Sequence, residues 1–320
     1  MTILSPTEEH IAQCVALLSA SKLIAMPTET VYGLAANGLD VDAIAAIYAA
    51  KNRPQFNPLI CHVASLEQAQ VLGVFDSHAQ ALATSFWPGP LTIVVPRQKQ
   101  CPVPLLASAG LETIALRIPN QQIAQKLLKA ANFPIVAPSA NLSGRLSPTR
   151  PAHVQSQFPD LTILDGGPSI VGLESSIVGC LGTTPLWLRA GGIARNDIEK
   201  CLGLELEEPS QHTETEAKLA PGRLAKHYAP NHALMITTQP PNPDDALIIF
   251  GEVDDTHQGY TDNLSPAGNL SEAAARLYEA LHMADAALGQ TNGRIIVRPF
   301  TISGLGEAIM DRLIRASASS

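Results

Sequence analysis

Along residues 8–20, Ile11, Val15 and Leu18 recur at helical spacing among polar positions, which predicts an amphipathic helix. The short apolar run Leu23–Met26 that follows reads as a buried strand, closed by Pro27. The alternation continues. Helices are predicted over 40–50, with Ile44 and Ile47 on one face, and near 65–72, 76–86, 120–131 and 194–202. Between them stand the strand candidates Leu59–Val63, Leu91–Val95, Thr113–Ile118, Pro134–Ala137, Leu161–Leu164, Ser176–Val178 and Leu186–Leu188. Strands exchanging with helices in this way define an α/β fold.

Near residue 204 the pattern breaks. Glu205, Glu207, Glu208, Pro209 and Thr213-Glu214-Thr215-Glu216 form a polar, acidic stretch without apolar period, which reads as a linker. Its last part, Ala220 to Pro230, gathers Arg223, Lys226, His227 and Tyr228 between two prolines. A second, smaller α/β unit follows. Its strands are expected at Ala233–Ile236, Ala246–Phe250 and Arg294–Val297, and a helix opened by Ser271-Glu272 runs over 271–288. The expected division is a domain over 1–204, a linker or lid over 205–230, and a C-terminal domain over 231–320.

A chain of 320 residues is long for one core and agrees with two domains. Five widely scattered cysteines, with no C-x-x-C pair, argue against a disulfide framework or a zinc knuckle and fit a reducing cytoplasm. No apolar run approaches bilayer length, and the start of the chain lacks the basic and apolar regions of a signal peptide. The net charge of −8 is unevenly placed: residues 1–203 carry 13 Lys+Arg and 13 Asp+Glu, residues 204–320 carry 8 and 16. An acidic C-terminal part is a poor match for a nucleic-acid backbone.

Neither a phosphate-binding G-x-x-x-x-G-K-[ST] loop nor a G-x-G-x-x-G turn is present, and H-E-x-x-H and G-x-S-x-G are absent too. What remains is a set of cations and small polar groups on loops that end strands. Lys51, Arg53, Arg117 and Arg189 supply charge; Thr30, Ser139, Asn141, Ser147 and Ser176 supply hydroxyls and an amide. Such groups suit nucleotidyl transfer, where an enzyme aligns an oxygen with the α-phosphate and neutralises the departing pyrophosphate.

Several segments occur in an order that resembles the YrdC-like family in its long, two-domain form. They are Pro27-Thr28-Glu29-Thr30-Val31-Tyr32-Gly33-Leu34, Lys51-Asn52-Arg53-Pro54 with Asn57-Pro58-Leu59, Trp87-Pro88-Gly89-Pro90, and Ala137-Pro138-Ser139-Ala140-Asn141. Gly172-Leu173-Glu174-Ser175-Ser176, Leu188-Arg189-Ala190-Gly191 and Lys226-His227-Tyr228-Ala229-Pro230 continue the series. The resemblance implies an N-terminal domain with a twisted mixed sheet and a concave active site, and a smaller C-terminal Rossmann-like α/β domain. It further implies ATP-dependent formation of L-threonylcarbamoyl-AMP from L-threonine, bicarbonate and ATP, with Mg²⁺ accompanying ATP. The product would pass to downstream tRNA threonylcarbamoyl-transferase proteins, and direct tRNA contact would be weak or indirect. By the same resemblance Thr30, His62, Arg117, Ser139 and Ser176 would hold threonine, with Arg117 at its carboxylate. Arg53, Asn57, Thr113, Asn141, Ser147, Arg189 and Tyr228 would hold ATP, and Lys51 the phosphates; Lys51, Arg53 and Arg117 are the expected catalytic groups. Departures from the family pattern are Ala190 in place of Pro, Ser176 in place of Thr, Ala35 where a third glycine is common, and Arg223-Leu224-Ala225 before Lys226 in place of the usual Met, aromatic or basic residues.

Residue by residue, plainer readings stay open. Thr28 to Thr30 can cap a helix, Lys51 and Arg53 can be a solvated pair, and His62 can be a satisfied core residue. Arg117 can be a paired structural arginine, Ser139 and Asn141 can be turn residues, and Tyr228 can be linker packing. At the level of the chain, a carbamoyl-adenylate former or an RNA-binding module remains an alternative.

Overall fold

A computed structural model describes residues 2–54, 56–209, 227–252, 257–300 and 302–318. The predicted strands and helices lie close to their expected bounds, and ten strands join into one sheet. These are β1 (Thr2–Leu4), β2 (Ile24–Met26), β3 (Gly33–Asn37), β4 (Ile60–His62), β5 (Leu91–Pro96), β6 (Thr113–Arg117), β7 (Ile135–Val136), β8 (Thr162–Leu164), β9 (Ser176–Gly179) and β10 (Leu186–Arg189). Their spatial order is β1-β8-β2-β3-β7-β4-β6-β5-β9-β10. Parallel pairs such as β4 with β6 and β5 with β9 alternate with antiparallel ones such as β3 with β7 and β5 with β6, so the sheet is mixed.

Side chains alternate between the two faces of a strand, and the two cores of this sheet follow that rule. Ala25, Leu34, Ala36, Cys61, Ile93 and Leu116 pack with α2 (Val41–Lys51), α3 (Leu66–Leu72) and α4 (Ser77–Phe86) on one face. Ile24, Met26, Ala35 and Ile135 pack with α1 (Glu8–Ser19) and α5 (Gln122–Ala131) on the other. Those two helices cover one end of that second face. Ile60 and His62 of β4, and Arg117 of β6, lie beyond their cover and line a cavity.

The smaller sheet is wholly parallel, in the order β11 (Leu234–Ile236), β14 (Ile295–Val297), β12 (Ala246–Ile249), β13 (Thr261–Asn263). Helices α8 (Leu270–Leu288) and α9 (Leu305–Ser317) pack on it. Helix α8 begins one residue before the expected start because the Asn269 side chain caps it, accepting from the Ser271 and Glu272 amides at 2.8 and 3.1 Å. The core of this unit also takes in Val31, Leu146 and Leu173 of the larger sheet's loops, together with Tyr228. The two units therefore share buried apolar surface.

Elements β1, β3, β13, α6 (Pro151–Gln157) and α9 carry no sequence prediction. Strand β3 is Gly-Leu-Ala-Ala-Asn, poor in strand-forming residues, and it is held by pairing to β2 on one side and β7 on the other. The acidic stretch after residue 204 is not uniformly solvated: Leu206 is buried in the core, and Glu207 exchanges backbone hydrogen bonds with Pro185 and Trp187 at the sheet edge. Residues 210–226, including Arg223 and Lys226, lie outside the described residues.

Candidate active site

The cavity opens between the larger sheet and the start of the C-terminal unit, where Ile60, His62 and Arg117 of the sheet share its lining with His227 and Tyr228. Its floor is set by register. His62 and Arg117 are direct partners across the parallel pair β4 and β6. His62 is buried, and burial first, then the Arg117 charge, push its imidazole down to about 3, so it is neutral. Its Nδ1 has no hydrogen-bond partner among the described residues.

Arg117 ends β6 and is 3 % exposed. Its Nε donates to Gly89 O at 3.2 Å and Nη1 to Thr30 Oγ1 at 2.9 Å. Nη2 lies 2.7 Å from Glu29 Oε1, a charge contact whose angles fall outside hydrogen bonding. Thr28 shapes the loop that presents Thr30: its Oγ1 accepts from the Thr30 and Val31 amides, both at 3.2 Å, and donates to Val31 O at 2.6 Å. This is a self-closed threonine turn after Pro27, and it does not cap a helix.

The second group of cations is buried as well. Helix α2 ends at Asn52, which turns left-handed with φ 50°, so Lys51 closes the helix and Arg53 opens the loop. Lys51 is 1 % exposed and does not reach the cavity: its Nζ donates to Ser139 O at 2.5 Å and to Asn141 O. Burial, then the Arg53 charge, lower its pKa well below the usual lysine range. Arg53 does line the cavity, with Nε donating to Asn57 O at 3.2 Å and Nη2 to Pro58 O at 3.1 Å. Burial brings it down to about 10, which leaves it charged at neutral pH. Arg189 ends β10 and donates through Nε and Nη2 to Ser175 O at 3.1 and 2.8 Å. The solvated-pair reading of Lys51 and Arg53 is thereby removed.

Gly191 lets this loop close. A Cβ there would lie 2.4 Å from Glu174 O, the Ser175 carbonyl carbon and Ser176 N, all backbone atoms that cannot swing aside.

Of the expected threonine residues, Thr30, His62, Arg117 and Ser139 line the cavity, while Ser176 stands behind it with Oγ donating to Ile193 O at 2.6 Å. Of the expected ATP residues, Arg53, Arg189 and Tyr228 line it. Asn141 and Ser147 lie behind the wall. Asn141 Nδ2 donates to Leu142 O and Arg145 O, and Ser147 Oγ donates to Glu174 Oε1 at 2.6 Å. Asn57 is buried and acts through its carbonyl, which accepts from Arg53. Thr113 begins β6, four residues before Arg117 and so about 13 Å from it along the strand. Among the described residues no group of three or more His, Cys, Asp or Glu could hold a metal ion.

Tyr228 is fully buried in a left-handed conformation, φ 65°, which is strained for a non-glycine residue. Its neighbours hold it there: Ala229 N donates to Gly144 O at 2.7 Å, and the His227 ring meets the Tyr228 ring edge-on at 4.0 Å.

Sequence reasoning assigned no role to Glu174, Ser175 or His227, which also line the cavity, nor to Glu29 behind Arg117. Glu29, Glu174 and His227 fall inside recognised segments, and that was the available signal. Nothing in the local sequence marks Tyr278 and Arg312, which reach Glu174 from the C-terminal unit at 3.0 and 2.9 Å.

A family model described as "Telomere recombination" and labelled Sua5_yciO_yrdC matches residues 16–191. A second, described as "Threonylcarbamoyl-AMP synthase, C-terminal domain", matches residues 193–318. The chain is 37 % identical to a Bacillus subtilis protein named threonylcarbamoyl-AMP synthase, over 98 % of this chain and 94 % of that one. It is also 37 % identical to a Pyrococcus abyssi protein of the same name, over 99 % and 98 %. The crystal structure of P. abyssi Sua5 complexed with L-threonine is similar over 100 % of this chain and 98 % of that one, with a TM-score of 0.88 at 34 % identity. Escherichia coli YciO, at 22 % identity and a TM-score of 0.54 over 59 % of this chain, shares the fold.

Proposed function

The chain belongs to the two-domain threonylcarbamoyl-AMP synthases, an enzyme family of the Sua5, YciO and YrdC group, and on that premise we propose that it forms L-threonylcarbamoyl-AMP from L-threonine, bicarbonate and ATP. One observation carries the reading. Among the described residues, three buried guanidiniums, those of Arg53, Arg117 and Arg189, line one cavity together with one carboxylate, Glu174. Glu174 is itself paired to a fourth arginine, Arg312, at 2.9 Å. Guanidiniums gathered around one cavity suit an anionic ligand, because arginine matches carboxylate and phosphate oxygens in pairs.

In this reading Arg117 receives the threonine carboxylate, with Thr30, Ser139 and neutral His62 around the rest of the amino acid. The amine of threonine takes up carbon from bicarbonate to give a carbamate and water. A carbamate oxygen then attacks the α-phosphorus of ATP, and the bond from that phosphorus to the bridging oxygen breaks, releasing pyrophosphate. Arg53 and Arg189 would neutralise the phosphates, Lys51 would add charge from behind the Ser139–Asn141 loop, and Tyr228 would cover the nucleotide. Ser176, Asn57, Thr113, Asn141 and Ser147 would complete the two subsites.

Magnesium would enter with ATP, held mainly by phosphate oxygens and water, since the described residues offer no cage for it. Five free cysteines agree with a reducing, cytoplasmic setting, and among the described residues no helix is long and apolar enough to cross a membrane. We extend the reading to residues 1–204 as catalytic domain, 205–230 as linker and 231–320 as C-terminal domain, with tRNA-modifying transferases consuming the product.

The deciding experiment measures pyrophosphate release from ATP and bicarbonate with L-threonine, L-serine or no amino acid. Release that requires threonine is the expected result. Release indifferent to the amino acid would point to carbamoyl-adenylate formation, and none at all would point to a binding module.

A further inference from the structure

This inference rests on the reading above and concerns what the C-terminal domain contributes to it. Glu174 lines the cavity from the loop before β9, and groups from both domains hold its carboxylate. Ser147 donates to Oε1 at 2.6 Å from the catalytic domain. From α8, Tyr278 O–H lies 3.0 and 3.2 Å from the two carboxylate oxygens; from α9, Arg312 Nε donates to Oε2 at 2.9 Å. Arg312 is 1 % exposed, its Nη1 donates to Asp311 Oδ2 at 2.8 Å, and its guanidinium carbon stands 5.2 Å from the centre of the Tyr228 ring. The Glu174 loop is pressed against α8 at Gly172, which has φ 73°; a Cβ there would lie 2.5 Å from Ala274 O.

An ionised carboxylate only accepts hydrogen bonds, whereas a protonated one carries a donor O–H. Glu174 lines the cavity together with Arg189 and Tyr228, so its protonation would turn an acceptor that faces a ligand into a donor. We propose that Arg312 is a positioning residue for the ATP half of the site, acting through Glu174 to hold that carboxylate as an acceptor toward the cavity, so that the site is complete only with α9 in place.

The groups facing Glu174 are Ser147, Arg189 from β10, Tyr278 from α8, Arg312 from α9 with Asp311 behind it, and His227 and Tyr228. Burial by itself would raise the Glu174 carboxyl, but Arg312 first, then Arg189 and the Ser147 hydrogen bond, outweigh it and hold it at about 2. His227 is pushed down to about 3 by burial, and burial raises both tyrosines, so these three neighbours stay neutral. Without Arg312 the burial effect is opposed mainly by Arg189 and the Ser147 hydrogen bond, and the carboxyl moves up.

The test titrates ATP, and separately L-threonine, into the full-length protein by calorimetry between about pH 5.5 and 8.5, with pyrophosphate release followed in parallel. R312M is expected to weaken ATP binding by about tenfold or more at the acid end and by less at the alkaline end, with threonine binding within about twofold of wild type. R312K, which keeps the charge, should fall between R312M and wild type. In an E174Q background, which cannot titrate, replacing Arg312 should add no pH-dependent loss. Wild-type ATP affinity in R312M, or a pH-independent loss that persists undiminished in E174Q, overturns the proposal. Should R312M fail to fold, R312K decides: weakening toward acid pH supports the role and a wild-type profile overturns it. Wild type that binds both ligands but releases no pyrophosphate would sink the synthase reading while binding still tests Arg312; wild type that binds no ATP overturns both.

Discussion

Replacing Arg117 by Met separates the two things this arginine does. Met keeps most of the length and removes the charge, so Glu29, 2 % exposed and 2.7 Å from Nη2, becomes a buried carboxylate with no cation beside it. Breaking a buried pair from one side costs about 3–5 kcal/mol, a large part of the ~5–15 kcal/mol that holds a domain together. If the catalytic domain unfolds as a unit, a loss of about 3 kcal/mol lowers its melting temperature by roughly 6–12 °C. The double variant R117M/E29Q removes both charges and should recover most of that loss, because a neutral pair of similar volume has no ion to strand. Activity should not recover. Loss of the carboxylate contact is expected to raise the KM for L-threonine by about 30-fold or more, corresponding to about 2 kcal/mol, in both variants. Thermal melts and pyrophosphate release at a temperature where each variant is folded provide the two readouts. Unchanged stability in R117M would refute the claim that the pair is mutually dependent. Threonine kinetics that return in the double variant would show Arg117 to be structural, the plain reading its strand position left open.

Stability should fall as pH drops from neutral. His62, His153 and His227 are each pushed down to about 3 by burial, below their unfolded value, so acid protonates the unfolded chain first; their contribution is full above about pH 6.5 and lost on the way to pH 3. Denaturant titrations at intervals between about pH 8 and 5 measure this slope, H153N should flatten it, and a level profile would contradict it. Gly191→Ala should cost about 1–3 kcal/mol and depress turnover, since its Cβ would press on backbone at 2.4 Å and shift the Glu174–Ser176 loop. A wild-type melting temperature together with wild-type kinetics would show that the loop yields more easily than this.

Periodicity and punctuation made the α/β class legible, along with most elements and two regions of different charge. The ordered segments made the family legible. These are local properties: alternation follows from the strand's two faces, the helical stripe from its pitch, and the turns from Pro27, Asn52 and the glycines. Strand β3 was not legible because its small residues gain their stability from neighbours on both sides. The candidate site was legible only as a set of residues. That His62 and Arg117 stand side by side follows from the parallel register of β4 and β6, strands about fifty residues apart in the chain. Lys51 turns to the carbonyls of Ser139 and Asn141, away from the cavity, because the end of α2 is enclosed by a loop some ninety residues later. Arg312 gave no local sign, since one arginine on an amphipathic helix looks like any other until the helix is docked. Sequence by itself thus determined which groups are present and what local structure carries them. Only the tertiary structure decided which charges lose their water and which partners they then need, because desolvation depends on every neighbour that packs around a group.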